Sequence, residues 1–254
     1  MFLIDADAPI YESAKGLADY IENLAVLPDT DTITILGLSK CAVMSFYVPS
    51  FFTKKQTFEK TNIFNIAAPY TGTKLASPLI FYKEVEDLIN AKIPSKSAAK
   101  AITNQLIHFY ERISSNSHMD YDIAIQNGIT ENKKDFYDEG FIKNVFRQEN
   151  IQAIQKINSF KNILTGIDKD TLKEAIKTGN MVGIGLCILN NLFFDNKSDG
   201  MVYVDAQRKV EDVLDIKSIQ IKSAHHDVNS NTRVLKELLT IVDSTLEEQE
   251  KIKM

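Results

Sequence analysis

Apolar and polar positions along the chain follow two rhythms. Thr32–Leu38, Asn62–Ile66, Asn162–Gly166 and Ile216–Lys222 are short β-branched or alternating runs that read as strands. Glu12–Leu24 instead places Ile10, Ala14, Leu17 and Ile21 on one helical face. Asn231–Lys251 does the same with Val234, Leu235, Leu238, Leu239, Val242 and Leu246, and closes in a solvated charged end.

Between the second and third strands lies a long stretch of helical rhythm, residues 75–160. Helices are expected at Pro78–Ala91, at Ser97–Ser114 with Ile102, Leu106, Phe109, Tyr110 and Ile113 on one face, and at Gly140–Ile157 with Phe141, Val145 and Phe146 apolar. Met181–Phe194 is the most apolar run and carries no charge. A span needs about 20 such residues, so this run is too short to cross a bilayer. It reads as a buried helix, or more sharply as a lid or pocket segment beside the acidic turn that follows.

Chemistry enters at the end of the first strand. Gly37-Leu38-Ser39-Lys40-Cys41 follows a strand and precedes the helix-compatible Ala42–Tyr47. Strand, Gly-x-Ser-x-small and helix make a nucleophile elbow, which lifts a serine hydroxyl above the sheet where a base can reach it. The fifth position is cysteine, where glycine is usual. Three further landmarks follow in order. They are Ala68-Pro69-Tyr70-Thr71-Gly72-Thr73 after the second strand, the acidic turn Ser198-Asp199-Gly200-Met201-Val202, and His225-His226 after the last strand. Ser, then Asp, then His is the chain order of one triad architecture.

These landmarks resemble α/β-hydrolases of the bacterial lipase and carboxylesterase kind. The resemblance implies an α/β-hydrolase fold, a mostly parallel sheet flanked by helices, with a helical cap insert. Residues 1–74 and 161–254 would form the core and 75–160 the cap. It further implies Ser39 as nucleophile, His225 as base and Asp199 as the acid that holds the imidazole, with the backbone N–H of Lys40 as one oxyanion donor. The implied activity is cleavage of a carboxylic ester, a small-molecule or lipid-like substrate, through an acyl-enzyme. An acyltransferase using the same triad, or an inactive relative serving as a binding or scaffold module, remain alternatives.

The two adjacent histidines compete for the base role. The small pair Ser223-Ala224, where the strand should open into a loop, favours His225 and leaves His226 as a solvated neighbour. His108 and His118 fall in the insert as structural or surface residues. Asp195 lacks a following glycine, Asp205 reads as a surface residue, and Asp227 is too close in sequence to reach back to either ring.

Set against the resemblance, the chain is expected to be incomplete at its N-terminus. Met1–Tyr11 reads as the tail of a strand leading into the helix before the elbow, without the three earlier strands or the loop that supplies the second oxyanion N–H. An open apolar sheet edge would follow, and with it poor behaviour of residues 1–254 expressed alone.

Composition narrows the picture little further. With 254 residues, 44% hydrophobic, the chain can bury a full core. A net charge of −5 and no basic stripe argue against nucleic acid as partner. Cys41 and Cys187 both sit in apolar segments expected to be buried, so no disulfide framework is indicated. No Cys/His spacing suits zinc, and no cofactor is expected. No signal peptide is recognisable, which gives a cytoplasmic expectation.

Overall fold

The computed structural model describes residues 10–24, 32–53, 60–73, 86–117, 143–193 and 196–251. Four strands, β1 (Thr32–Leu38), β2 (Lys60–Ile66), β3 (Ser159–Gly166) and β4 (Ile219–Lys222), form one parallel sheet in the order β1-β2-β3-β4. Helices α1 (Ile10–Leu24) and α2 (Lys40–Tyr47) flank β1 in sequence. Helices α3 (Lys96–Ser117) and α4 (Gln148–Ile154) fall between β2 and β3. Helices α5 (Lys169–Thr178), α6 (Met181–Phe193), α7 (Val204–Arg208) and α8 (Glu211–Leu214) precede β4, and α9 (Thr232–Lys251) follows it. The protein is thus an α/β protein with a small parallel sheet between helices.

The pleat sorts side chains into two cores. Ile33, Ile35 and Ile63 face α1 and α2, where Ile10, Ala14, Ala18 and Ile21 pack with Val43, Phe46 and Tyr47. Leu38, Ile66, Ile163 and Ile221 face the opposite side and meet Val228, Val234 and Leu238. Among the described residues β1 has a strand partner on one side only, and Leu36 on that strand is 58% exposed.

Helix α2 is buried from Ala42 to Tyr47 and lies unusually close to β1. A Cβ at Gly37 would stand 2.6 Å from Ala42 Cα and 2.7 Å from Cys41 O, so only glycine permits this approach. Cys41 itself is half-buried, not buried as expected, because the first turn of α2 is less covered than the turns after it. Cys187 is buried, and that burial pushes its thiol pKa up to about 11.

Several expectations change in detail. β3 begins at Ser159, so its first two residues fall inside the expected insert, where Phe160 pairs with Ile63. β4 begins at Ile219, three residues later than the alternation suggested. On α9 the covered stripe is Val234, Leu238, Ile241 and Thr245, while Leu235 and Leu239 point to solvent. In α6, Leu186, Cys187, Leu189 and Asn190 are buried, but Met181 is 72% exposed. The expected helix over Gly140–Ile157 is interrupted at Phe146 and Arg147, and α4 starts after them. Its first residues, much of the Pro78–Ala91 helix, and His118 lie outside the described residues.

Helix α5 carries its own start and stop signals. Asp168 accepts from the N–H groups of Asp170 and Thr171, and the Thr171 hydroxyl completes a reciprocal capping box. Gly179 ends the helix in the left-handed conformation at φ 65°. Partial burial would raise the Asp168 pKa. The Thr171 N–H and hydroxyl and the Lys222 ammonium, 3.0 Å away, outweigh that and hold it at about 2.

Two stability predictions follow from these contacts. Gly37→Ala should cost about 2 kcal/mol or more in urea unfolding, since backbone on both sides must move. Asp168→Ala should cost about 1 kcal/mol at neutral pH. A depressed carboxylate pKa contributes stability above its ordinary value and loses it as pH falls towards about 2. The difference between wild type and Asp168→Ala should therefore narrow across that acid window.

Candidate active site

Parallel strands deliver all their C-terminal ends to one edge, and the expected site residues sit there. Ser39 directly follows β1 and takes φ 56° and ψ −122°, a region essentially closed to side-chain-bearing residues. Its N–H donates to Ile66 O at the end of β2 (2.9 Å). Its carbonyl accepts from Ala42 and Val43, the first bonds of α2. The turn is therefore held from the sheet and from the helix at once. The half-buried Ser39 makes no side-chain hydrogen bond among the described residues. Lys40 is the first residue of α2, so its N–H belongs to the helix N-terminus beside Ser39.

The acidic turn is built around one carboxylate. Asp199 is fully buried, and its Oδ1 accepts from the N–H groups of Met201 (3.0 Å) and Val202 (2.8 Å). Oδ2 accepts from the Thr165 hydroxyl (2.5 Å) and the Gln207 amide (3.3 Å), and lies 2.8 Å from His225 Nδ1. Gly200 is required beside it, for it sits at φ 93° and an added Cβ would meet Leu186 Cβ at 2.6 Å. Ser198 donates through its N–H and hydroxyl to Asn190 Oδ1, which ties the turn to α6. Thr73, at the end of the Ala-Pro-Tyr-Thr-Gly-Thr segment, donates its hydroxyl to Met201 O.

His225 follows β4 by two residues and is 6% exposed. Its own N–H donates to Asp199 O (2.9 Å), so backbone and ring fix it to the same residue. The Nδ1 contact orients the ring, and Nε2 makes no hydrogen bond among the described residues. This settles the choice between the two histidines as partner of Asp199. His226 is not the solvated neighbour expected. Its Nε2 is buried without a partner among the described residues, and burial, then the neighbouring His225 ring, lowers its pKa. Asp227 accepts from Asn180 Nδ2 (2.8 Å). Burial pushes its pKa up against the pull of that bond and of Arg233. Asp205 is exposed at the surface, and Asp195 lies outside the described residues.

The structure therefore joins Asp199 to His225 directly and sets Ser39 on the same sheet edge, with no hydrogen bond between Ser39 and His225. The sequence reading missed Thr165 and Gln207. A threonine inside a strand and a glutamine in Ala206-Gln207-Arg208-Lys209 carry no motif. They belong to a wholly buried polar chain. In it Ser45 donates to Asn65 Oδ1, Asn65 to the Tyr70 hydroxyl (2.9 Å), and Tyr70 to Asn162 Oδ1 (3.5 Å). Asn162 in turn donates to Gln207 O (2.8 Å). A cleft of about 670 Å³ opens between α5 and α6, lined by Ile167, Leu172, Ile188 and Leu192, with Asn190 in its wall.

No protein-family model matches the chain, and no curated protein is detectably similar to it. Among the described residues no helix is long and apolar enough to cross a membrane.

The elbow conformation can be tested on its own. If Ser39 is held against its backbone preference, Ser39→Gly should be more stable than Ser39→Ala by about 1 kcal/mol in paired denaturation curves. Equal stabilities would mean no strain is stored at this turn.

Proposed function

We propose that the chain is a serine hydrolase of the α/β-hydrolase type, cleaving carboxylic esters through an acyl-enzyme on Ser39. The observation that carries this reading is the buried Asp199–His225 pair, at 2.8 Å, on the sheet edge where Ser39 stands in the strained conformation of an elbow.

The chemistry runs as follows. Asp199 accepts the Nδ1 proton of His225, which leaves Nε2 as the free base of the imidazole. Ser39 Oγ attacks the ester carbonyl carbon while Nε2 takes its proton. The oxygen that becomes negative is stabilised by the Lys40 N–H and the N-terminus of α2. Collapse breaks the bond to the alkoxide, which leaves with the proton from Nε2. Water, activated by the same nitrogen, then attacks the acyl-serine, releases the acid and restores Ser39. The buried carboxylate offsets the charge of the imidazolium formed in each half-reaction, which is why a fully buried acid is useful here.

One packing feature supports the wider reading. Ile89, Ala99 and Leu106, from the helical segment between β2 and β3, share one apolar cluster with Leu186, Met201, Val202 and Ala224. Packing of this segment with the acidic turn and with the residue before His225 supports reading it as a cap.

A fluorophosphonate reagent tests the proposal directly. Mass spectrometry should find one adduct, on Ser39, absent from Ser39→Ala. His225→Ala and Asp199→Asn should react about 10³–10⁴ times more slowly, in line with triads elsewhere. A folded wild-type protein that takes up no reagent would sink the assignment.

A further inference from the structure

We propose that Gln207 and Thr165 are positioning residues that fix the Asp199 carboxylate on His225, an inference that rests on the triad reading above. β2 and β3 pair only as far as Ile66 and Ile163, and the last bond between them runs from Ala67 N to Ile163 O. Ala67 then takes φ 52° and carries the chain off the sheet. Two residues further along β3, the N–H and C=O of Thr165 point to the same, now uncovered, side. They would be buried without partners, at a cost comparable to a lost hydrogen bond each.

The Gln207 carboxamide fills that gap. Its Oε1 accepts from Thr165 N (2.7 Å) and its Nε2 donates to Thr165 O (3.0 Å), so one side chain replaces a strand residue. The same Nε2 reaches Asp199 Oδ2 (3.3 Å) and Val202 O (3.3 Å). Thr165, held in place by this clamp, aims its hydroxyl at the same Oδ2. Gln207 is itself fully buried, and Asn162 holds its backbone carbonyl. Sheet edge and acid are thereby set by one amide, and Oδ2 has a fixed direction towards the ring. Without these donors only the Met201 and Val202 N–H groups on Oδ1 hold the carboxylate against rotation about its last bond, and the alignment of Oδ2 with the ring nitrogen weakens while the acid stays buried.

The experiment compares Thr165→Val, Thr165→Ser, Gln207→Met and, as a control on the same network remote from Asp199, Ser218→Ala. Ser218 accepts from Asn162 Nδ2 (2.9 Å) and touches neither the acid nor the ring. Each variant is checked for cooperative unfolding, then for fluorophosphonate labelling rate, ester kcat and KM, and the downfield proton resonance of the Asp199–His225 hydrogen bond. Thr165→Val and Gln207→Met should lose about tenfold or more in labelling rate and kcat at unchanged KM, with the resonance broadened or lost. Thr165→Ser, which keeps the hydroxyl, should restore both, and Ser218→Ala should match wild type. Should Gln207→Met not fold, the threonine pair carries the test alone. Folded Thr165→Val with wild-type labelling and an intact resonance would overturn the inference, with the triad reading untouched. A folded wild type that neither labels nor shows the resonance would instead remove the triad, and this role with it.

Discussion

A carboxylate with no access to water carries a heavy desolvation cost, and the architecture around Asp199 answers that cost. An ion of this size loses several kcal/mol of hydration on burial unless partners replace the solvent. Asp199 has five donors, from the Met201 and Val202 N–H groups, the Thr165 hydroxyl, the Gln207 amide and the His225 ring. They come from the acidic turn, from β3, from α7 and from the loop after β4. Three stretches far apart in sequence, β3, the acidic turn running on into α7, and the residues after β4, converge on this one carboxylate.

The parallel sheet makes that convergence geometrically simple. Its strands end on one edge, so Ser39 directly after β1 and His225 shortly after β4 share that edge, and the turn holding Asp199, reached through α5 and α6, packs against His225 there. The elbow adds its own constraint. Ser39 stays in a forbidden region because β2 holds its N–H, α2 holds its carbonyl, and Gly37 lets the helix come close enough for both. Stability is thus drawn from packing behind the edge, and the edge itself holds strain and a buried charge.

How much of this the sequence disclosed depends on whether a residue's role is local. The strand-serine-helix order, Gly200 after Asp199 and the histidine after the last strand are local patterns, and Asp199 and His225 do meet. Helix α1 follows from its apolar spacing in the same way. What stayed hidden depends on residues distant in sequence. Gln207 carries no motif because its amide is needed only where β2 bends off the sheet. His226 reads as solvated because nothing nearby reports the packing that encloses its Nε2. Leu235 and Leu239 match the apolar rhythm of α9, yet the small sheet covers only one stripe of that helix, and they remain outside it.

The polar chain from Ser45 through Asn65, Tyr70 and Asn162 to Gln207 restricts how this protein can change over evolutionary time. Each member is buried, and each satisfies its neighbour. Replacing any one by an apolar residue strands the next donor or acceptor without water, whereas replacing adjacent members together can be nearly neutral. Descendants that abandon these amides must therefore do so in concert, through intermediates less stable than either end. The positions should drift as a block, so that substitutions at 65, 70 and 162 in any diverged copy arrive coupled and seldom alone.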